Sequence, residues 1–345
     1  MTLPQPVAQK TAQKTAQRIA LSLPVPPDVE STLNYARWAE HEGFDDVWFA
    51  DGGNIDSLTL AALVADRHPK LRIGTGVIPV YTRTPAVLAA TAATLSHLAP
   101  GRFILGLGAS SHAMIEGWHG LPFEKPLTRV KETVELVRAM LGGEKTAFAG
   151  ETLRSHGYVQ RMTPKEPVPI YLAALRPKML ELAGEIGDGV VLNLFPAEAL
   201  PRMIERIEAG AKKAGADLAA REVVCRHQVV VTANKAEARE AVRKSFVGYF
   251  ATPVYNKFLA WCGYEEEAAA IEQGFREKDR AKTAAALSDD LIDRLAVIGT
   301  AEECRERIRE LGRGGIQTHI IACPMPDPYT LRATIETFSP RTFSF

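Results

Sequence analysis

Eight short apolar runs, separated by stretches of helical periodicity, leave this chain few folds to choose from. The runs occupy residues 18–23, 46–50, 71–78, 103–108, 169–174, 189–193, 223–232 and 317–322. Between two of them Leu127, Val130, Val134, Val137 and Leu141 recur at spacings of three and four, a single apolar stripe on a helix. Another helical segment opens near Pro27 and Asp28 and carries Val29, Leu33, Ala36 and Ala39. Pro85, Pro177 and Pro201 stand where first helical turns are expected, the place where a missing N–H costs nothing. Strand followed by helix, eight times without a boundary, counts out an α/β fold: a (β/α)8 TIM-type barrel with insertions. The alternative is an open doubly wound sheet, and the unbroken repeat favours closure.

The chain has 345 residues, enough for one large domain or two small ones. The repeats assign residues 17–345 to a single barrel domain and leave residues 1–16, with a repeated QKTA, as a polar arm. Three stretches exceed ordinary loops: about 109–125, 143–168 and 250–299. The second contains FAGETLRSHGYVQRMT and reads as a hairpin; the third is rich in Ala, Glu and Lys and reads as extra helices placed before the last helix of the seventh unit. Forty-one basic residues balance 41 acidic ones, so no charge excess recommends nucleic acid or an anionic membrane surface as a partner. No apolar run approaches the ~20 residues of a membrane span, and the first residues lack the apolar core of a secretory signal. Cys225, Cys262, Cys304 and Cys323 are scattered without a CxxC, which is neither a zinc pattern nor a disulfide framework and suits a reducing cytoplasm. No His/Asp/Glu cluster has ligand spacing at the strand ends, so no metal is expected. The expected partners are a small-molecule substrate and a second copy of the chain in a homodimer.

In a barrel the active site forms at the C-terminal ends of the strands. Two of these ends, one helix apart, are glycine-rich: Gly74 and Gly76, then Gly106 and Gly108. Backbone without a β-carbon can approach a flat ring or a phosphate and present its N–H groups. The bland reading is that these glycines only close strand-to-helix turns; their pairing favours a cofactor bed. A Rossmann fingerprint is the obvious rival for Gly106-Leu107-Gly108. It fails because position 111 is Ser111, and because this segment lies in the fourth strand rather than the first. The titratable candidates near the mouth are Asp51, after the second strand, and His112, after the fourth. Trp118 and His119 read as loop packing, and His227 and His319 as interior residues.

Five segments in register resemble a known family: GFDDVWFAD (43–51), TGVIPVYTRTPAVLAATAATL (75–95), GRFILGLGASSHAMIEGWHGLPF (101–123), IYLAALRPKMLELAGEIGDGVVLN (170–193) and IGTAEECRERI (298–308). Together they resemble the luciferase-like monooxygenase superfamily, most closely its branch of coenzyme F420 (deazaflavin)-dependent oxidoreductases. The resemblance implies a barrel enzyme that transfers hydride between F420 and an organic substrate. An FMN-dependent two-component monooxygenase of the same fold is the alternative, and an inactive cofactor-binding barrel a third reading. It implies a bulge in the third strand with a non-prolyl cis bond, here Gly76–Val77, with Ile78 beside it, against the central ring of the cofactor. It implies phosphate contacts from Gly108-Ala109-Ser110 and from Ala174-Leu175-Arg176, the latter opening a helix whose free N–H groups suit an anion. Arg176 could equally be a solvated surface cation. Gly106, Asp51 and Asn193 complete the expected cofactor contacts, and Asp51 and His112 the expected catalytic pair. One departure stands out: many deazaflavin members carry Asp-His after the second strand, where this chain has Asp51-Gly52.

Overall fold

Short runs of Val, Ile, Leu and Ala bury both faces when strands lie parallel under a layer of helices, and the chain does this throughout. The computed structural model describes residues 17–25, 27–53, 55–325 and 327–345; the polar arm expected at 1–16 lies outside them. The elements in chain order are β1 (Arg18–Leu23), α1 (Val29–Glu42), β2 (Asp46–Phe49), α2 (Ser57–Arg67), β3 (Arg72–Thr75), β4 (Ile78–Pro79), α3 (Pro85–Leu98), β5 (Phe103–Gly108) and α4 (Pro126–Leu141). A hairpin of β6 (Ala147–Ala149) and β7 (Arg154–His156) follows, then β8 (Ile170–Ala173), α5 (Pro177–Ile186), β9 (Gly189–Asn193), α6 (Leu200–Lys213) and β10 (Glu222–Val231). Next come five helices, α7 (Lys235–Phe250), α8 (Pro253–Trp261), α9 (Glu265–Arg276), α10 (Arg280–Ala285) and α11 (Asp289–Leu295). The chain closes with β11 (Val297–Gly299), α12 (Ala301–Arg313), β12 (Thr318–Ala322) and α13 (Pro328–Thr337).

Eight strands pair in parallel in the cyclic order β1, β2, β3, β5, β8, β9, β10, β12, and β12 returns to β1. This is the closed barrel expected from the repeat count. Its inner layer is Ala20, Trp48, Ile104, Tyr171, Val191, Val224 and Ile320. A larger core, among it Leu21, Val47, Phe49, Ile73, Leu105, Leu172 and Val223, fills the space between strands and helices. At the N-terminal end the barrel is plugged by ions. Arg72 bonds Asp46 at 2.5 Å and Glu222 at 2.7 Å, and the Tyr171 hydroxyl donates to Glu222 at 2.5 Å. Burial alone would raise the Glu222 carboxyl; the Arg72 guanidinium and the Thr318 and Tyr171 hydroxyls override it and hold it down at about 2. A carboxylate pair shared by one guanidinium closes the floor and leaves the other end open for chemistry.

Two boundaries differ from the sequence reading. The predicted strand 71–78 is broken. From Gly74 to Ile78 the chain takes four steps while its partner takes three, from Ile104 to Leu107. The extra residue is a bulge. The helical insertion begins at Lys235 rather than near 250, and it includes the short strand β11, which pairs with the end of β10. These helices build a core of their own around Val242, Phe246, Phe250, Leu259, Ile271 and Leu291. The hairpin lies where the sequence placed it. Its turn is organised by the buried Glu132 carboxylate, which accepts from the backbone N–H groups of Glu151, Thr152 and Leu153.

Candidate active site

The bulge sets the geometry of the mouth. The Gly76–Val77 bond is cis. Val77 turns inward against the inner layer, whereas Ile78 is fully buried in the outer core beside Leu107. Ile78 is therefore a packing residue and not the ring contact the resemblance implied; Val77 alone faces the mouth. Where ladder bonding lapses, Thr75 Oγ1 takes over: it donates to the Gly106 carbonyl at 3.0 Å and accepts from the Gly106 N–H at 2.8 Å. The two glycines of β5 are explained by this neighbour. A β-carbon on Gly106 would lie 1.8 Å from the Thr75 carbonyl oxygen, and one on Gly108 would lie 2.7 Å from Val77 Cγ2. Their φ angles are not in the left-handed region. They are small because a bulged strand presses on them, a reason that periodicity along one strand does not reveal.

The same parity corrects the strand-five turn. Ala174 is buried in the outer core and Leu175 packs against it, while Ala173 is the residue beside Gly108. Arg176 is exposed and occupies the N-cap of α5 with no side-chain cap; Pro177 has no N–H and the Met179 N–H donates to the Arg176 carbonyl, so within the first turn the Lys178 N–H is the one left free at the mouth. On this side the mouth is a ledge of Gly76, Val77, Gly108, Ala109 and Ala173, with no long side chain on it. Ser110 ends the ledge at φ 69°, a left-handed value that non-glycine residues seldom hold, and Leu194 after β9 has φ 51°. Both unusual residues stand at strand ends on the open face.

The titratable candidates fall differently from the sequence expectation. Asp51 is clamped by Arg83 at 2.5 Å, and Arg83 reaches Asp56, the N-cap of α2, at the same distance. Its carboxylate has a dedicated partner and holds the turn after β2 to the turn before α3. His112 is exposed, its ring set edge-on to Phe123 with centroids 4.4 Å apart, and Phe123 in turn packs on Tyr81. Tyr81 donates to the Glu124 carbonyl at 2.5 Å, and burial pushes its hydroxyl up to about 12. His112 is thus part of an aromatic cluster with Phe123 and Tyr81 that ties the 109–125 segment to the turn after β4. Trp118, from a π-helical turn over Ala113–Trp118, lies against Gly53 and carries that segment towards β2. The structure brings Asp51 and the 109–125 segment to one rim and Asn193 to the other; it does not bring Asp51 and His112 together as a pair.

The sequence reading missed the polar wall opposite the ledge. On β10 the residues alternate, Val224 inward, Cys225 and His227 outward, Arg226 and Gln228 inward. Arg226 Nε donates to Ser22 Oγ at 3.0 Å, and Gln228 Nε2 to Asn193 Oδ1 at 3.4 Å. Tyr255 of α8 stands over them with its hydroxyl against Asn193, and burial raises that hydroxyl well above its usual range. An arginine inside a strand of apolar pattern was the available signal, because such a residue must either pair with an acid or face a ligand. His227 and His319 sit on the outer side of the barrel, Nε2 to Nδ1 at 3.0 Å, as the interior reading expected.

Among the described residues no helix is long and apolar enough to cross a membrane. A family model described as luciferase-like monooxygenase matches residues 5–318. The chain is 33% identical over 302 residues to a 5,10-methylenetetrahydromethanopterin reductase of Methanolobus tindarius, covering 86% of this chain and 91% of that protein. It is 29% identical over 325 residues to a putative coenzyme F420-dependent oxidoreductase of Mycobacterium tuberculosis, again covering 86% and 91%. Among solved structures, the coenzyme F420-dependent tetrahydromethanopterin reductase of Methanopyrus kandleri matches with a TM-score of 0.79 at 24% identity, covering 94% of this chain and 98% of that one. That last likeness concerns the fold.

Proposed function

The chain belongs to the luciferase-like monooxygenase family, and on that premise we propose that it is an oxidoreductase moving hydride between coenzyme F420 and a small organic substrate. The observation that carries this reading is the ledge. Val77, Gly108, Ala109 and Ala173 offer a flat apolar seat beside the start of α5, where the Lys178 N–H is free, a combination that suits a planar ring joined to an anionic tail. The relatives named for F420 support the same choice of cofactor.

The residues present fit such a group. Val77 and Ala173 would lie under the ring, Ser110 and the backbone at 174–178 would take the phosphate, and Asn193 would meet the ring edge. When bound, a deazaflavin supplies a two-electron centre that gives or accepts hydride. The protein's part is placement: the ledge fixes one face, the 109–125 segment borders the rim with Trp118 against Gly53, and the opposite wall holds the substrate at the free face. The Asp51–Arg83 pair holds the rim on the β2 side. The test is an equilibrium titration of cofactor-free protein with F420 and, separately, with FMN, followed by fluorescence. F420 is expected to bind more tightly. FMN binding with no detectable F420 binding overturns the assignment in favour of the FMN-dependent monooxygenase.

A further inference from the structure

Arg226 lies inside the barrel without a counter-ion. Among the described residues its only hydrogen bond is from Nε to Ser22 Oγ, and no carboxylate stands within ion-pairing distance. The titratable groups around it are Tyr249, Tyr255 and Cys225, and burial pulls its pKa below the ordinary arginine value. Arg72, at the other end of the barrel interior, is by contrast paired with Asp46 and Glu222. The Arg226 guanidinium is half-buried, and its two Nη groups, which have no partner among the described residues, open to the mouth, where an anionic ligand can take both.

Its position says which ligand. In the eight-strand ring, β10 is four strands from β3 in either direction, so Arg226 faces the bulge across the full width of the mouth. A ring seated on the Val77 ledge turns its free face towards Arg226. Beside the guanidinium stand Ser22, Asn193 and Gln228 as further polar partners, and the aromatic ring of Tyr255. An apolar, planar body with an anionic oxygen at one end matches this wall, because Arg takes a carboxylate in a two-point fork. We infer that Arg226 is the recognition cation of the substrate subsite, and that the substrate is a carboxylate with an apolar body. This rests on the proposed ring seat.

The test uses benzoate as probe and benzamide as its neutral isostere, titrated by calorimetry into the protein loaded with F420 and into the cofactor-free protein. Benzoate is expected to bind at least about tenfold more tightly than benzamide to the loaded protein. Arg226→Gln is expected to erase that difference and Arg226→Lys to keep part of it, with both variants folded by circular dichroism and binding F420 within about twofold of the parent. Equal binding of the two probes, or a preference for benzoate that survives Arg226→Gln, overturns the inference. So does a loss of F420 affinity in Arg226→Gln with benzoate binding intact, which would assign the cation to the cofactor. If F420 fails to bind the parent protein, the proposed function falls. A preference for benzoate on the cofactor-free protein that Arg226→Gln erases would then still support the anion subsite.

Discussion

A β-carbon on Gly108 would sit 2.7 Å from Val77 Cγ2 and 3.1 Å from Ala173 Cβ. Valine is stiff at χ1 and cannot swing aside cheaply. Gly108→Ala is therefore expected to cost about 1–3 kcal/mol by overpacking, read as a lower melting temperature, and to weaken F420 binding because the ledge must shift. Adding Val77→Ala should restore most of the lost stability, since the colliding methyls are gone. An unchanged melting temperature in Gly108→Ala alone would show that the strand gives way freely. The glycine was visible in the sequence; its reason was not, because the neighbour that needs the space is 31 residues away. Asp51 shows the same limit. Its place at a strand end could be read from the chain, but its engagement with Arg83 depends on how two loops meet.

At the scale of elements, β10 and β12 lie side by side and set His227 and His319 facing outwards under the helices, where the C-terminal Phe345 covers the His319 ring. Burial holds both imidazoles neutral. It drives His227 well below its usual value, with the neighbouring His319 adding to the shift, and lowers His319 to about 3. The folded values are below the unfolded one, so the unfolded chain binds more protons and stability falls as pH drops below about 6.5. Each histidine that stays neutral contributes about 1.4 kcal/mol of loss per pH unit. Between about pH 6.5 and pH 5 ordinary carboxylates remain ionised, which isolates the histidines. The urea midpoint should drop across that window; an unchanged midpoint would mean that the pair takes up protons in the native state. Helix starts were legible, since Asp28, Pro85 and Pro177 stand where α1, α3 and α5 begin. The break between β3 and β4 was not, since Thr75 replaces the ladder bonds from a neighbouring strand.

For the whole molecule the helical insertion matters most. Phe246 is 1% exposed at the centre of a core shared by α7, α8, α9 and α11, and this core also supports Tyr255 over Arg226. Phe246→Ala is expected to cost about 3–5 kcal/mol. Hydrogen exchange should then quicken over 235–296 while β1, β2 and β5 stay protected; equal acceleration in barrel and insertion would show one cooperative unit. The barrel follows from the order of residues along the chain, because eight alternations of strand and helix patterns are local and each apolar run must find a buried place. The same order sets which strand ends are small and which helices start with proline, since these depend on a few adjacent residues. What faces the mouth depends instead on how distant segments pack. Closing the sheet and adding one residue at the bulge set the inward parity, which turns Val77, Ala173 and Arg226 to the interior and Ile78 and Ala174 away. A one-residue change of register reverses every side chain of a strand, and that register is fixed by pairing between distant segments.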